Sequence, residues 1–169
     1  MKKIIIILFL ITVCYSIYSQ KEEILIPEES IRFRIIANSD SKEDQELKLE
    51  IKRSVEKELN QLMIEAKNKE QAKNLIAANL PKIESILNTY QIPYQMNLGM
   101  NKFPEKEYKG ITYEAGEYES LVITLGKGIG KNWWCVMFPP LCLLEAEENN
   151  IDEVEYRFFV KEMLQKYLE

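Results

Sequence analysis

Between Ile31 and Ala66 the hydrophobic pattern changes its period from two residues to about 3.6, and this switch constrains the fold more than any other feature. In IRFRIIA, Ile31, Phe33 and Ile35 alternate with Arg32 and Arg34, which predicts a strand over Ile31–Ala37. The NSDSKED stretch then stops the strand and starts a helix. Ser39, Asp40 or Ser41 can cap it, with Asp40-x-x-Glu43 and Ser41-x-x-Asp44 both at capping-box spacing. Leu47, Ile51, Val55, Leu59 and Leu62 recur every three or four residues, a single apolar stripe reaching about Ala66.

A second helix is expected from Lys69 to Tyr90 on Ala72, Leu75, Ile76, Leu80, Ile83, Leu87 and Tyr90, capped by Asn68. Pro81 lies inside this pattern and is expected to kink or restart it near Ala77 to Leu80. Tyr94, Met96 and Leu98 alternate with polar residues as a half-buried strand. Asn101 to Gly116 reads as a long, turn-rich connection, and Glu117 to Leu125 as a strand with Leu121, Ile123 and Leu125 on one face. After glycines at 126, 128 and 130 comes WWCVMF, a strand apolar on both sides that Pro139-Pro140 ends, because neither proline can donate to a ladder. Asn149 or Asp152 can cap a last helix with Val154, Phe158, Leu164 and Leu168 as its apolar face. The order predicts a single α+β domain, a mainly antiparallel sheet with two long helices after the first strand and a C-terminal helix.

Lys2 and Lys3 ahead of the apolar run Ile4 to Val13 read as a secretory signal or an N-terminal membrane anchor over residues 1–19, with residues 20–169 as the exported domain. The net charge of -5 gives no broad basic footprint, so no nucleic-acid partner is expected. The sequence contains no histidine, which excludes Ser-His-Asp and Cys-His nucleophile pairs and histidine-based metal sites. No cofactor is expected, and membrane contact is expected only through the N-terminal segment.

The glycines of LGKGIGK lack the GxxxxGK[ST] pattern and precede a strand, so a flexible turn is expected rather than a phosphate loop. Asp40, Asp44, Glu117 and Glu119 could in principle form an acid–base pair, the basis of an alternative reading as an extracytoplasmic carboxylate-dependent hydrolase. Capping accounts for Asp40 and Asp44, and the wet face of a strand for Glu117 and Glu119. Cys135 and Cys142 are not a CxxC pair. In an exported chain a Pro-Pro turn can bring them within disulfide reach; two buried free thiols are the alternative. Trp133 and Trp134 must face opposite sides of a strand. Trp133 shares its side with Cys135 and is expected in the core, which leaves Trp134 as the expected partner contact.

Ile31 to Leu59, IRFRIIANSDSKEDQELKLEIKRSVEKEL, and Tyr113 to Cys142, YEAGEYESLVITLGKGIGKNWWCVMFPPLC, together carry ANSD-x-x-x-DQ-x-x-K and AGEYE…GKNWWCV-x-FPPLC. These motifs resemble the stage II sporulation protein R family of endospore-forming bacteria. The resemblance implies a non-catalytic signal, made in the forespore and exported into the space between forespore and mother cell. There such proteins trigger a membrane-embedded aspartic protease of the mother cell to process the sigma-E factor precursor. No catalytic residue follows from it. The matching positions, with Trp134, Asn132, Pro139, Pro140, Asn38, Asp40, Glu117 and Glu119 foremost, are candidate contact or structural residues.

Overall fold

The computed structural model describes residues 24, 26, 29–142 and 152–168. The expected signal or anchor over residues 1–19 lies outside the described residues. The elements are β1 (Ile31–Ile36), α1 (Lys42–Glu65), α2 (Lys69–Asn88), β2 (Tyr94–Phe103), β3 (Lys106–Tyr108), β4 (Ile111–Tyr113), β5 (Gly116–Leu125), β6 (Asn132–Phe138) and α3 (Glu153–Leu168). Four strands form one sheet in the order β2-β5-β1-β6, and β3 and β4 form a separate hairpin. β1 runs parallel to β5 but antiparallel to β6, and β2 is antiparallel to β5. The mainly antiparallel α+β domain expected from the sequence is therefore the architecture observed.

Each face of the sheet has its own core. On one face Ile31, Phe33, Ile35, Leu121, Ile123, Cys135 and Met137 pack against Ile51, Val55, Leu59 and Met63 of α1 and Ile76, Ile83 and Leu87 of α2. Each such aliphatic side chain, fully removed from water, contributes about 1.5–3 kcal/mol. Both helices start where their caps are: Ser41 Oγ accepts from the Asp44 amide at 3.2 Å, and Asn68 Oδ1 from the Gln71 amide at 2.9 Å. Pro81 does not restart α2, which is continuous from Lys69 to Asn88. Pro81 and Ala77 are both exposed, so the carbonyl that loses its partner faces water.

On the other face Phe103, Tyr118, Trp134 and Val136 pack beneath the β3–β4 hairpin and α3 through Ile111, Tyr113, Tyr156 and Val160. The stretch expected as a plain connection from Asn101 to Gly116 thus contains the end of β2 and the whole hairpin. The hairpin is tied to α3 by the Tyr113 and Tyr156 hydroxyls, 2.8 Å apart, and by Arg157 donating to the Gly110 carbonyl. Asp152 caps α3 as expected, its Oδ1 accepting from the Glu155 amide at 2.9 Å. The expected apolar face of α3 is corrected. Tyr156 and Val160 turn inward with Phe159, Met163 and Leu164, while Val154 and Phe158 are exposed.

Candidate functional site

The most specific stretches of the sequence meet where the parallel strands β1 and β5 end. Asn38 is the hub. Its Oδ1 accepts from the Lys127 amide at 2.9 Å, its Nδ2 donates to Asp44 Oδ2 at 2.8 Å, and its carbonyl accepts from the Ile129 amide at 3.3 Å. Asp40 Oδ1 accepts from the Lys131 amide at 2.6 Å, and the Gly130 amide donates to the Ala37 carbonyl at 3.0 Å. Gln45 Nε2 donates to the Ser39 carbonyl, and the buried Lys48 bridges Gln45 Oε1 at 2.7 Å and the Lys131 carbonyl at 3.1 Å. ANSD-x-x-x-DQ-x-x-K is thus a clasp holding the 126–131 loop. Donation from Ser39 and Asn38 to the Asp44 carboxylate holds its pKa below the usual range. Beside the clasp opens a pocket of about 350 Å³ lined by Asn38, Asp44, Leu47, Ile92, Pro93, Leu125, Gly126 and Lys127.

The turn expected to be flexible is therefore braced. Gly126 and Gly128 have φ of 55° and 64°, which glycine adopts without strain. A Cβ at Gly130 would run into the Ser39 carbonyl group, so close approach requires glycine there.

The two tryptophans do take opposite sides, but the expectation that Trp134 is the exposed contact is overturned. Trp134 is 5% exposed, with Phe103 and Tyr113 edge-on at centroid distances of 5.5 and 5.3 Å. Arg32 is fully buried beside it, its guanidinium 3.4 Å from the centre of the Tyr118 ring and 5.0 Å from that of Trp134. Burial pushes the Arg32 pKa down, and neighbouring Tyr118 and Tyr113 oppose the shift. The cause of the reversal is the hairpin and α3, which cover this face of the sheet. Trp133 is half-buried, edge-on to Phe33 at 5.9 Å and with the Lys52 ammonium 4.1 Å from its ring centre. Pro139 and Pro140, also proposed as contacts, are buried; Asn132 and Asp40 are exposed and Asn38 is half-buried.

Lys48 was singled out as a motif residue, but sequence reasoning missed that it is buried, and missed Lys52 and Glu56 altogether; the three are spaced four apart along α1 beside the apolar stripe. That i,i+4 spacing was the available signal, and Lys52 and Glu56 pair at 3.2 Å. Glu56 lies with the Cys135 and Cys142 sulfurs, the three ligand atoms within 4.8 Å of one another. Such a set could hold a metal only with both thiols free. In the structure the two sulfurs are instead at bonding distance, their α carbons 5.6 Å apart. Mass spectrometry of the non-reduced chain is expected to recover a Cys135–Cys142 linked peptide. Alkylation of both thiols in that material would contradict it. Serine at both positions is expected to lower stability by about 2–3 kcal/mol, the effect of so short a loop.

The four carboxylates of the hydrolase reading are not brought together. Asp40 and Asp44 sit at the C-terminal end of β1, whereas Glu117 and Glu119 sit at the N-terminal end of β5. About 20 Å of strand separates the two groups. Glu119 pairs with Lys73 at 2.7 Å, and Glu117 with Lys102 at 3.9 Å. Both share the side of Leu121 and Ile123, at the end of that face rather than on a separate wet one.

Taken together, the fold and the clasp define an α+β domain that holds a braced loop and a small pocket at one end of a two-sided sheet. The stage II sporulation protein R family model matches residues 27–148. The chain is also 39% identical over 158 residues to stage II sporulation protein R of Bacillus subtilis (strain 168), across 89% of this chain and 70% of that protein. The chain belongs to the stage II sporulation protein R family, and its role lies in sporulation. No solved structure matches it.

Proposed function

We propose that the chain is an exported signal that switches on a membrane-embedded aspartic protease of the mother cell, which then processes the sigma-E factor precursor. The family match over residues 27–148 carries this reading. The Lys2-Lys3 start and apolar run support delivery across the forespore membrane, with the signal either cleaved or kept as an anchor. To activate, the domain binds the protease's extracytoplasmic face more tightly in its active state than in its inactive one. Equal affinity for both states would shift nothing.

The test is co-expression of the full chain with the protease and the precursor, with precursor cleavage as readout. Cleavage is expected with the full chain and is expected to vanish when residues 1–19 are deleted and the chain stays in the cytosol. Full cleavage by that cytosolic chain would sink the proposal.

A further inference from the structure

We propose that the 126–131 loop and the pocket beside it form the surface that captures a protein partner, through a protruding segment that is both apolar and acidic. Apolar side chains of that segment would meet Ile129 and the pocket walls, and its carboxylates would meet Lys127 and Lys131. The identity of the partner as the protease rests on the function proposed above; the chemistry of the surface does not.

The loop is rigid before anything binds. Every amide from Lys127 to Lys131 donates to a fixed acceptor: Asn38 Oδ1, Leu125 O, Asn38 O, Ala37 O and Asp40 Oδ1 in turn. Little ordering entropy therefore remains to be lost on association. Yet this braced loop holds Ile129 74% exposed. One exposed isoleucine alone would need no explanation. Here the loop that carries it also lines, through Gly126 and Lys127, a pocket of about 350 Å³ whose apolar walls are Leu47, Ile92, Pro93 and Leu125.

Charge specifies the partner. Lys127 and Lys131 are exposed, and among the described residues neither is ion-paired. The nearby Asp40 and Asp44 carboxylates already accept the clasp's own hydrogen bonds, so two lysines without a salt-bridge partner beside an apolar knob complement an acidic rim around an apolar group. An anionic bilayer would also attract the lysines. A flat lipid surface, however, leaves the pocket unfilled, and a protruding protein segment fills it.

The experiment uses the full chain co-expressed with the protease and precursor. It reads precursor cleavage, co-purification of the protease, and flotation with vesicles of phosphatidylcholine with or without phosphatidylglycerol. Ile129→Ser and the double variant Lys127→Glu/Lys131→Glu are each expected to lower cleavage and co-purification about tenfold, as loss of a central contact does. Lys127→Arg/Lys131→Arg is expected to retain both. If the glutamate variant does not accumulate, Lys127→Ala/Lys131→Ala and Ile129→Ser carry the comparison. Wild-type behaviour of these variants would overturn the surface while leaving the protease reading intact. Normal protease capture with loss only of binding to phosphatidylglycerol vesicles would overturn it in favour of a membrane contact. Capture of the protease by the wild-type chain without cleavage, lost in the variants, would leave the surface standing and sink the activation reading. Failure of the wild-type chain to capture the protease would overturn both.

Discussion

Trp134→Ala is expected to destabilise the domain by about 3–5 kcal/mol, the range for emptying a buried large aromatic site. The indole stands between Phe103, Tyr113 and the guanidinium of Arg32, so its removal also uncovers a buried cation. Trp133→Ala is expected to cost less, about 1–2 kcal/mol, because part of that ring is already in water and Lys52 and Phe33 remain supported by α1 and the sheet. Urea unfolding of the two variants side by side decides the matter. Equal midpoints, or a larger loss for Trp133→Ala, would show that the hairpin and α3 do not cover Trp134 as described. With the expected larger loss for Trp134→Ala, any fall in precursor cleavage by that variant would report unfolding rather than a lost contact.

The second large effect belongs to Gly130→Ala. The added methyl would strike the Ser39 carbonyl, main-chain atoms that cannot swing aside, with the Ala37 Cβ a further 3.0 Å neighbour. Relief requires the loop and the β1–α1 turn to part, loosening the Gly130–Ala37 and Lys131–Asp40 hydrogen bonds; overpacking of this kind costs about 1–3 kcal/mol. Gly99→Ala is the control, since the nearest atom to a Cβ there is 3.7 Å away. Thermal unfolding should separate the two. Equal melting temperatures would mean that the clasp yields more easily than its hydrogen bonding indicates.

Where one periodicity dominated, the sequence was readable. The stripe of α1, the caps Ser41 and Asn68, the alternation in β1 and the doubly apolar β6 all follow from local spacing. What escaped was the second layer, for identifiable reasons. Arg32 looks like a solvent residue, yet its burial is made possible by aromatic faces contributed from β2, β5 and β6. Strands of three residues, as in β3 and β4, are too short to display a period. On α3, Val154 and Phe158 compete with a second face built on Tyr156 and Val160, and the tyrosine hydroxyl pairing that selects it is a long-range fact. The motif residues of the clasp were singled out as candidates, but their joint task was hidden. Asn38 and Lys127 are 89 positions apart in sequence and meet only in the fold.

The position of β1 in the sheet has a consequence for assembly. It lies between two strands that come much later in the chain, β5 from Gly116 and β6 to Phe138. A chain that emerges N-terminus first, from a ribosome or through a membrane, therefore offers its central strand long before either neighbour exists. Until then Ile31, Phe33 and Ile35 can be sheltered only by the helices that follow them. Closing the sheet means joining segments more than 80 positions apart, a slow step compared with forming the two helices. The domain is thus completed from its last third, and a chain cut short before Gly116 would lack both strands that flank β1 in the sheet.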